Sequence, residues 1–344
     1  MKTNLKLALT AVAASFVLVG CGGGGSSTTT SNTQAPSQSP SVDTSTQLQT
    51  SVAAPTYASA SQESTFFAAL NDFRGKLGLG LLAQNTKLDS AAQNHLAYVM
   101  TYSTVDGGTV DMASIDPATG RPRFHIEDST KAGFTGIQEK DRATYAGYNG
   151  VYVGELGSYG LGQGSVNALN LLINTVFHRV GLMTQGVRDI GIAVGGDAAQ
   201  TMVVESGVLS TVQKNDANYI GVYPANNQTG VPLYAALETP NPYPDITAAD
   251  YSTKTSAPIS ISSEASTTLS VTSFTVTENG QSTPLDSRLL VKGTNADTNA
   301  YLGSNVAFLV AKTAFKPNTV YNVSFSGTIN GAVTSKTWSF TTGS

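Results

Sequence analysis

The chain has 344 residues, which is long enough for about two domains of ordinary size. It carries 19 Lys and Arg against 23 Asp and Glu, for a net charge of −4, and only 12% of its residues are charged. No basic run occurs, which argues against a nucleic-acid partner because phosphate binding needs clustered cations. The single cysteine excludes an intrachain disulfide framework and any zinc site built from several cysteines.

The N-terminus has the pattern of an export signal. Lys2 and Lys6 precede an uncharged apolar run over residues 7–19, which is typical of a signal peptide and short for a membrane span. The run ends in Leu18-Val19-Gly20-Cys21. This stretch resembles the lipobox of bacterial lipoproteins, which implies cleavage after residue 20 and lipidation of Cys21. We therefore predict a protein anchored to a membrane through Cys21, in the bacterial cell envelope, at the outer membrane or cell surface.

Residues 21–60 have the composition of a tether. They are mostly Gly, Ser, Thr, Gln, Pro and Ala, and Asp43 is their only charge. Such a segment buries too little apolar surface to offset the entropy lost on ordering. We expect it to be disordered and to hold the folded part away from the membrane.

The composition changes at residue 61, where a first domain over residues 61–206 is predicted. Apolar residues at helical spacing predict a helix over residues 64–77, which Gly78 ends. A second helix begins at Asn85 or Thr86, and a third covers residues 166–177. Two short strands, over residues 189–194 and 201–205, are joined by the turn-forming residues Gly195-Gly196-Asp197.

Short motifs follow one another through this domain. They are Asn71-x-x-Arg74, Gly78-Leu79-x-x-Leu82, Leu88-x-x-Ala91-Ala92-x-x-His95, Arg142, Gly147-Tyr148, Gly154-Glu155, His178-Arg179 and Ile190-Gly191-Ile192-Ala193-Val194. Their order resembles the CAP superfamily, which comprises cysteine-rich secretory proteins, antigen 5, plant pathogenesis-related 1 proteins and bacterial SCP-like proteins. The resemblance covers nearly all of residues 64–206. It implies an α-β-α sandwich around an antiparallel sheet.

The resemblance also implies a cleft with two histidines and two acidic residues. His125, Glu155 and His178 stand at three of the matching positions. The sequence departs from the family around His178, because residues 172–177 lack the Trp, Pro and Gly of bacterial relatives and no acid precedes His178. We take Glu127 as the substitute acid because it lies two residues after His125, on the same side of an extended segment. We expect the four side chains to converge, with Glu127 nearer to them than His95, which we assign either to the core or to a position that supports the cleft residues.

This residue set supports a few kinds of chemistry. Two imidazoles with carboxylates could bind a divalent metal such as zinc, with His125, His178 and Glu155 as ligands. Without metal, a carboxylate beside a histidine would make a general base. No nucleophile elbow, zinc-protease motif or Walker loop occurs. We therefore favour a binding protein for a lipid, a peptide or a metal, with a metal-assisted, peptidase-like hydrolase and a structural or adhesion protein as alternatives.

Residues 207–344 have the pattern of a second, all-β domain. Seven short β signals occur, one before and six after a Pro-rich stretch over residues 223–244, which we expect to form an ordered strap. Lys316-Pro317-Asn318-Thr319-x-Tyr321 and Trp338-Ser339-Phe340-Thr341-Thr342 resemble bacterial Ig-like domains. The predicted fold class is therefore α+β, an α-β-α sandwich (CAP-like) followed by an all-β Ig-like sandwich. We expect a monomer whose two domains fold independently.

Overall fold

The computed structural model describes residues 47–344, except 104–107, 109, 113, 120, 160–163, 197–200 and 239. Strands make up 30% of the described residues and helices 25%. The predicted signal peptide, Cys21 and residues 22–46 of the predicted tether lie outside the described part of the chain. In the part described, no helix is both long enough and apolar enough to span a bilayer.

Helices form where the sequence has a 3.6-residue apolar repeat and a capping side chain. Ser61 caps the first helix and Asn85 caps the second. The α-helices are α1 (Gln62–Lys76), α2 (Thr86–Tyr102), α3 (Glu139–Tyr145), α4 (Ser165–Ile173), α5 (Phe177–Leu182), α6 (Tyr251–Lys254) and α7 (Ala296–Tyr301), with 3₁₀ turns at Arg123–His125 and Ala248–Asp250.

The strands form three four-stranded sheets. Sheet 1 has the order β1-β3-β4-β2, sheet 2 the order β5-β7-β10-β9, and sheet 3 the order β6-β12-β11-β8. The strands are β1 (Ala83–Gln84), β2 (Tyr152–Tyr159), β3 (Asp189–Gly195), β4 (Thr201–Val208), β5 (Ile220–Tyr223), β6 (Gln228–Val231), β7 (Ile259–Ser263), β8 (Leu269–Glu278), β9 (Ser287–Val291), β10 (Val306–Ala311), β11 (Val320–Ile329) and β12 (Ala332–Thr342).

The predicted fold class is wrong. The chain is mostly strands in three mixed or antiparallel sheets with few helices, rather than a self-contained α-β-α sandwich followed by a separate Ig-like sandwich. The layer formed by α1, α4 and α5 does not face solvent as an outer helical layer would. It packs into one apolar cluster with β3 and β4 on one side and with Phe308 and Val310 of β10 on the other.

Sheet 2 explains this arrangement because it is buried on both faces. Phe308 and Val310 belong to the cluster shared with the helices, whereas Ala307 and Leu309 of the same strand belong to the core between sheets 2 and 3. A strand buried on both faces lacks an apolar–polar alternation. The predicted boundary at residue 206 therefore does not separate two cores, which counts against independent folding of the two parts.

The chain also departs from the prediction in three local features. Residues 47–60 are ordered, and the Gln49 side-chain amide donates to the carbonyls of Leu81 and Arg188. The predicted helix over residues 166–177 is divided into α4 and α5. In the break between them, the Asn174 side chain donates to the Tyr234 carbonyl of the strap. Sheets 2 and 3 together contain eight strands where seven were predicted. The additional strand is β6, which pairs in parallel with β12.

Candidate functional site: a buried histidine, glutamate and arginine cluster

Two of the predicted cleft residues meet in the first half of the chain. His125 ends the 3₁₀ turn Arg123–His125, and Glu155 lies in β2. The His125 Nδ1 is 2.6 Å from Glu155 Oε1, and both side chains are buried. Because Nδ1–H donates to the carboxylate, the neutral ring carries its lone pair on Nε2. Nε2 has no hydrogen-bond partner among the described residues.

Arg142 of α3 holds the other oxygen of Glu155. Its Nη2 donates to Glu155 Oε2 at 2.5 Å, and its Nη1 donates to the His125 carbonyl at 3.2 Å. Burial by itself would raise the pKa of Glu155, but Arg142, with His95 and His125, holds that pKa well below its usual value. Glu155 is therefore an ionised carboxylate that fixes the orientation of His125.

His95 and Glu127 form the adjoining part of the site. The His95 Nδ1 lies 2.9 Å from Glu127 Oε1, and its Nε2 lies 2.7 Å from the Phe124 carbonyl. Both ring nitrogens thus face oxygen acceptors, an arrangement that an imidazolium satisfies because it donates from both. Glu127 also accepts from the Thr135 and Gly136 amides.

We expected Glu127 to lie nearer to the other cleft residues than His95 does, and the structure shows the opposite. His95 Nε2 is 3.6 Å from Glu155 Oε2, whereas the ion pair of Glu127 runs to His95. His95 is therefore the link between the two carboxylates and not only a core residue. Its position on the buried face of α2, at the end of the motif that begins at Leu88, was the available signal.

Glu205 is a member of the site that the sequence analysis missed. It lies in β4 directly opposite Glu155 of β2 and is fully buried. Neither carboxylate oxygen has a hydrogen-bond donor among the described residues, and the Arg142 Nη2 is 4.0 Å away. Burial, and then the neighbouring Glu155, raise the pKa of Glu205 well above its usual value. An acidic residue directly after the apolar run 202–204 was the signal for it.

We call His95, His125, Glu127, Arg142, Glu155 and Glu205 the charged cluster. Within it, Arg142 contacts Glu155, and His95 lies beside both Glu127 and Glu155. Buried charges are tolerated when they are paired in this way.

His178 does not join the charged cluster, contrary to the predicted cleft. It lies in α5, where its Nδ1 is 3.2 Å from Glu238 Oε2. Glu238 also accepts from the Val176 and Phe177 amides, so it caps the start of this short helix. The residue that lies outside the predicted cleft is thus the one whose preceding residues, 172–177, depart from the family pattern.

The predicted zinc site does not fit these residues. Within the described ranges, no three His, Cys, Asp or Glu side chains are grouped so as to hold a metal ion. A carboxylate that binds a metal needs a free oxygen, but both oxygens of Glu155 are occupied, one by Arg142 and the other by His125. A peptidase-like arrangement of both histidines is not formed either, because His178 belongs to another part of the fold.

A groove with a volume of 300 Å³ lies beside the charged cluster, with Glu127 at its floor. Tyr98 and Tyr102 of α2 form one wall, with ring centroids 4.7 Å apart. Ile126 and Ile137 contribute apolar surface to it. This size is at the lower end of that of small-molecule sites, which are mostly apolar with a few polar groups. We call it the tyrosine groove.

The rim of the tyrosine groove carries both signs of charge. Arg123 pairs with Asp116 at 3.3 Å, and the Lys131 ammonium lies over the Tyr102 ring, 5.7 Å from its centroid. Asp128 also lines the groove, and the backbone amide and hydroxyl of Thr130 hold its pKa below the usual value. The rim thus adds two cations and two carboxylates to the aromatic wall and Glu127.

Comparisons with known proteins add little to this description. No family model matches the chain, and no curated protein matches it. Among solved structures, an outer surface protein from Borrelia burgdorferi is similar, with 14% identity and a TM-score of 0.33, over 44% of this chain and 96% of that protein. The copper resistance protein PcoC from Escherichia coli shows 10% identity and a TM-score of 0.21, over 35% of this chain and 94% of that protein. At these TM-scores neither likeness carries an argument about fold or function.

Proposed function

We propose that this is an exported protein, anchored to the bacterial cell envelope through Cys21, that binds short peptides in the tyrosine groove. The observation that carries the proposal is the composition of this groove. Its aromatic wall suits apolar side chains, and its mixed rim of Arg123, Lys131, Asp116 and Asp128 suits a chain that carries both charges. A fatty acid, which carries only a carboxylate, would need no such balance of charges.

The charged cluster has a supporting role in this proposal. Two of its three carboxyl groups are occupied by donors of the protein itself, since Glu127 accepts from His95 and from two amides, and Glu155 accepts from His125 and Arg142. It therefore fixes the segment 123–137 that forms one side of the tyrosine groove. A rigid wall lowers the entropy lost when a ligand binds.

Affinity selection from a library of random hexapeptides on phage tests the proposal. We expect the full chain to enrich a related set of sequences containing both an aromatic or aliphatic residue and a charged one. Tyr102→Ala should lose this enrichment because it removes one wall of the groove. The matched control is Tyr145→Ala, since Tyr145 is 68% exposed and does not line the groove.

Two results would contradict peptide binding. One is the absence of any enriched sequence family, and the other is equal enrichment by the Tyr102→Ala variant. Binding of a dansyl-labelled fatty acid that Tyr102→Ala abolishes would instead assign the tyrosine groove to a lipid. The anchor is tested separately, because Cys21→Ser should move the protein from the membrane fraction to the soluble fraction.

A further inference from the structure

A second groove opens at one corner of the sandwich formed by sheets 2 and 3. It lies between β8, the last strand of sheet 3, and β9, the last strand of sheet 2, and has a volume of 390 Å³. We call it the sandwich groove. It shares no lining residue with the tyrosine groove.

The walls of the sandwich groove are aliphatic. They are formed by Leu269, Val271, Leu289 and Val291, and Val306 also lines the groove. Leu289 is 39% exposed, although the neighbouring Leu290 is buried. No aromatic or acidic side chain lines the groove. Aliphatic walls without ring faces favour a flexible hydrocarbon chain over a sugar or an aromatic ligand.

Lys292 is the single charged residue that lines this groove. It directly follows β9, is exposed, and has no carboxylate partner within the described residues. The other polar lining groups are hydroxyls, at Thr268, Ser270 and Ser304. An unpaired ammonium among hydroxyls, at the mouth of an aliphatic groove, complements an anionic head group attached to a hydrocarbon chain.

We propose that the sandwich groove is a binding site for an unbranched aliphatic carboxylate, whose chain lies along the aliphatic walls and whose carboxylate pairs with Lys292. This site is independent of the tyrosine groove and of the function proposed for it. The carboxylate would gain a charge-assisted hydrogen bond from the ammonium, and the chain would remove apolar surface of β8 and β9 from water.

Calorimetric titration of the full chain with decanoate, below its micelle concentration, tests the site. We expect saturable binding of one decanoate, and an affinity about fourfold higher than that of nonanoate, because each buried methylene contributes about 0.8 kcal/mol. Decanol should bind more weakly than decanoate. Lys292→Gln should weaken decanoate binding about fivefold and remove its advantage over decanol.

Matched controls separate this site from other apolar surfaces. Lys312 lies near the other end of β9, pairs with Asp286 and does not line the groove. Lys312→Gln should therefore leave decanoate affinity unchanged. Val291→Ser should weaken binding, whereas Val333→Ser, at a valine that is 91% exposed on β12, should not. Tyr102→Ala should bind decanoate as the parent does. Absence of saturable binding, or equal affinity in Lys292→Gln and the parent, would overturn the proposal, as would loss of binding in Tyr102→Ala.

Discussion

Two fully buried arginines show how differently the two regions of this protein are built. Arg142 in the charged cluster faces Glu155 and Glu205, and these carboxylates outweigh burial and raise its pKa. Arg179 lies in the joint, by which we mean the contact of helices α1 and α5 with sheet 2. It donates to the Ile173 and Pro258 carbonyls, and burial lowers its pKa to about 10.

The two regions are stabilised by different interactions. Charges that need one another hold the cluster together, so removing one member leaves another buried and unpaired. Apolar packing and neutral acceptors hold the joint together, and the Arg179 guanidinium lies 4.8 Å from the ring centroid of Tyr223 and 5.5 Å from that of Phe308. Loss of an arginine should therefore cost more, and depend more on pH, in the cluster than in the joint.

The largest effect is expected for Arg142→Met. The substitution leaves Glu155 buried without its main cation, and we expect a loss of about 3–5 kcal/mol of unfolding free energy at neutral pH, measured by urea denaturation. Because the folded pKa of Glu155 lies below its unfolded value, the stabilisation is complete above the unfolded pKa and is lost as the pH falls through the folded pKa. The loss caused by Arg142→Met should therefore shrink in acid.

Two further variants complete this experiment. Lys76→Met breaks an exposed pair with Asp72 and should cost less than about 0.5 kcal/mol. Adding Glu155→Gln to Arg142→Met should restore part of the stability, because it removes the unpaired charge. If Arg142→Met and Lys76→Met were equally stable, the electrostatic account of the cluster would be wrong.

A smaller effect is expected for Arg179→Met in the joint. The methionine keeps much of the apolar contact, but the Ile173 and Pro258 carbonyls lose their donor. We expect the free energy of unfolding to fall by about 1–3 kcal/mol in all. Glu238, the nearby carboxylate, keeps its His178 and backbone-amide partners in the variant, so the loss should change little between pH 5 and 8. Urea denaturation at several pH values checks this, and a steep pH dependence would erase the contrast between the two arginines.

An effect of opposite sign is expected for Glu205→Gln. The folded pKa of Glu205 is raised, so the unfolded state loses its proton first and the parent loses stability as the pH rises from about 4.3 toward the folded pKa. Glutamine mimics the protonated form and carries no such penalty. The variant should match the parent at pH 4 and exceed it at pH 7. A variant less stable than the parent at pH 7 would mean that Glu205 is ionised in the fold.

The sequence predicted local structure better than it predicted the arrangement of the layers. The helix after Asn85 and the strand at Ile220–Tyr223 lie where their patterns placed them, because cap and alternation are local signals. The packing of Phe308 onto the helices of the first half was not predictable, since a strand with apolar residues on both faces does not tell which partner covers each face.

The candidate site was predictable only in part. His125 and Glu155 lie together, as the motif order implied. His178 carried the same motif signal but lies beside Glu238, a partner from the strap that no local pattern connects to it. Glu205 was missed because a lone acid in a strand is usually a solvent-facing residue, and only the pairing of β4 with β2 places it opposite Glu155.

The central claim, that the tyrosine groove binds peptides, is tested most directly by methyl NMR of the full chain. The probe is the hexapeptide most enriched by the selection described above, added to protein labelled at isoleucine and methionine methyl groups. We predict saturable shifts at Met112, Ile126 and Ile137, which line the groove, and none at Ile259 and Ile261 in the sandwich core. Unchanged signals from Met112, Ile126 and Ile137 at a saturating peptide concentration would contradict the claim.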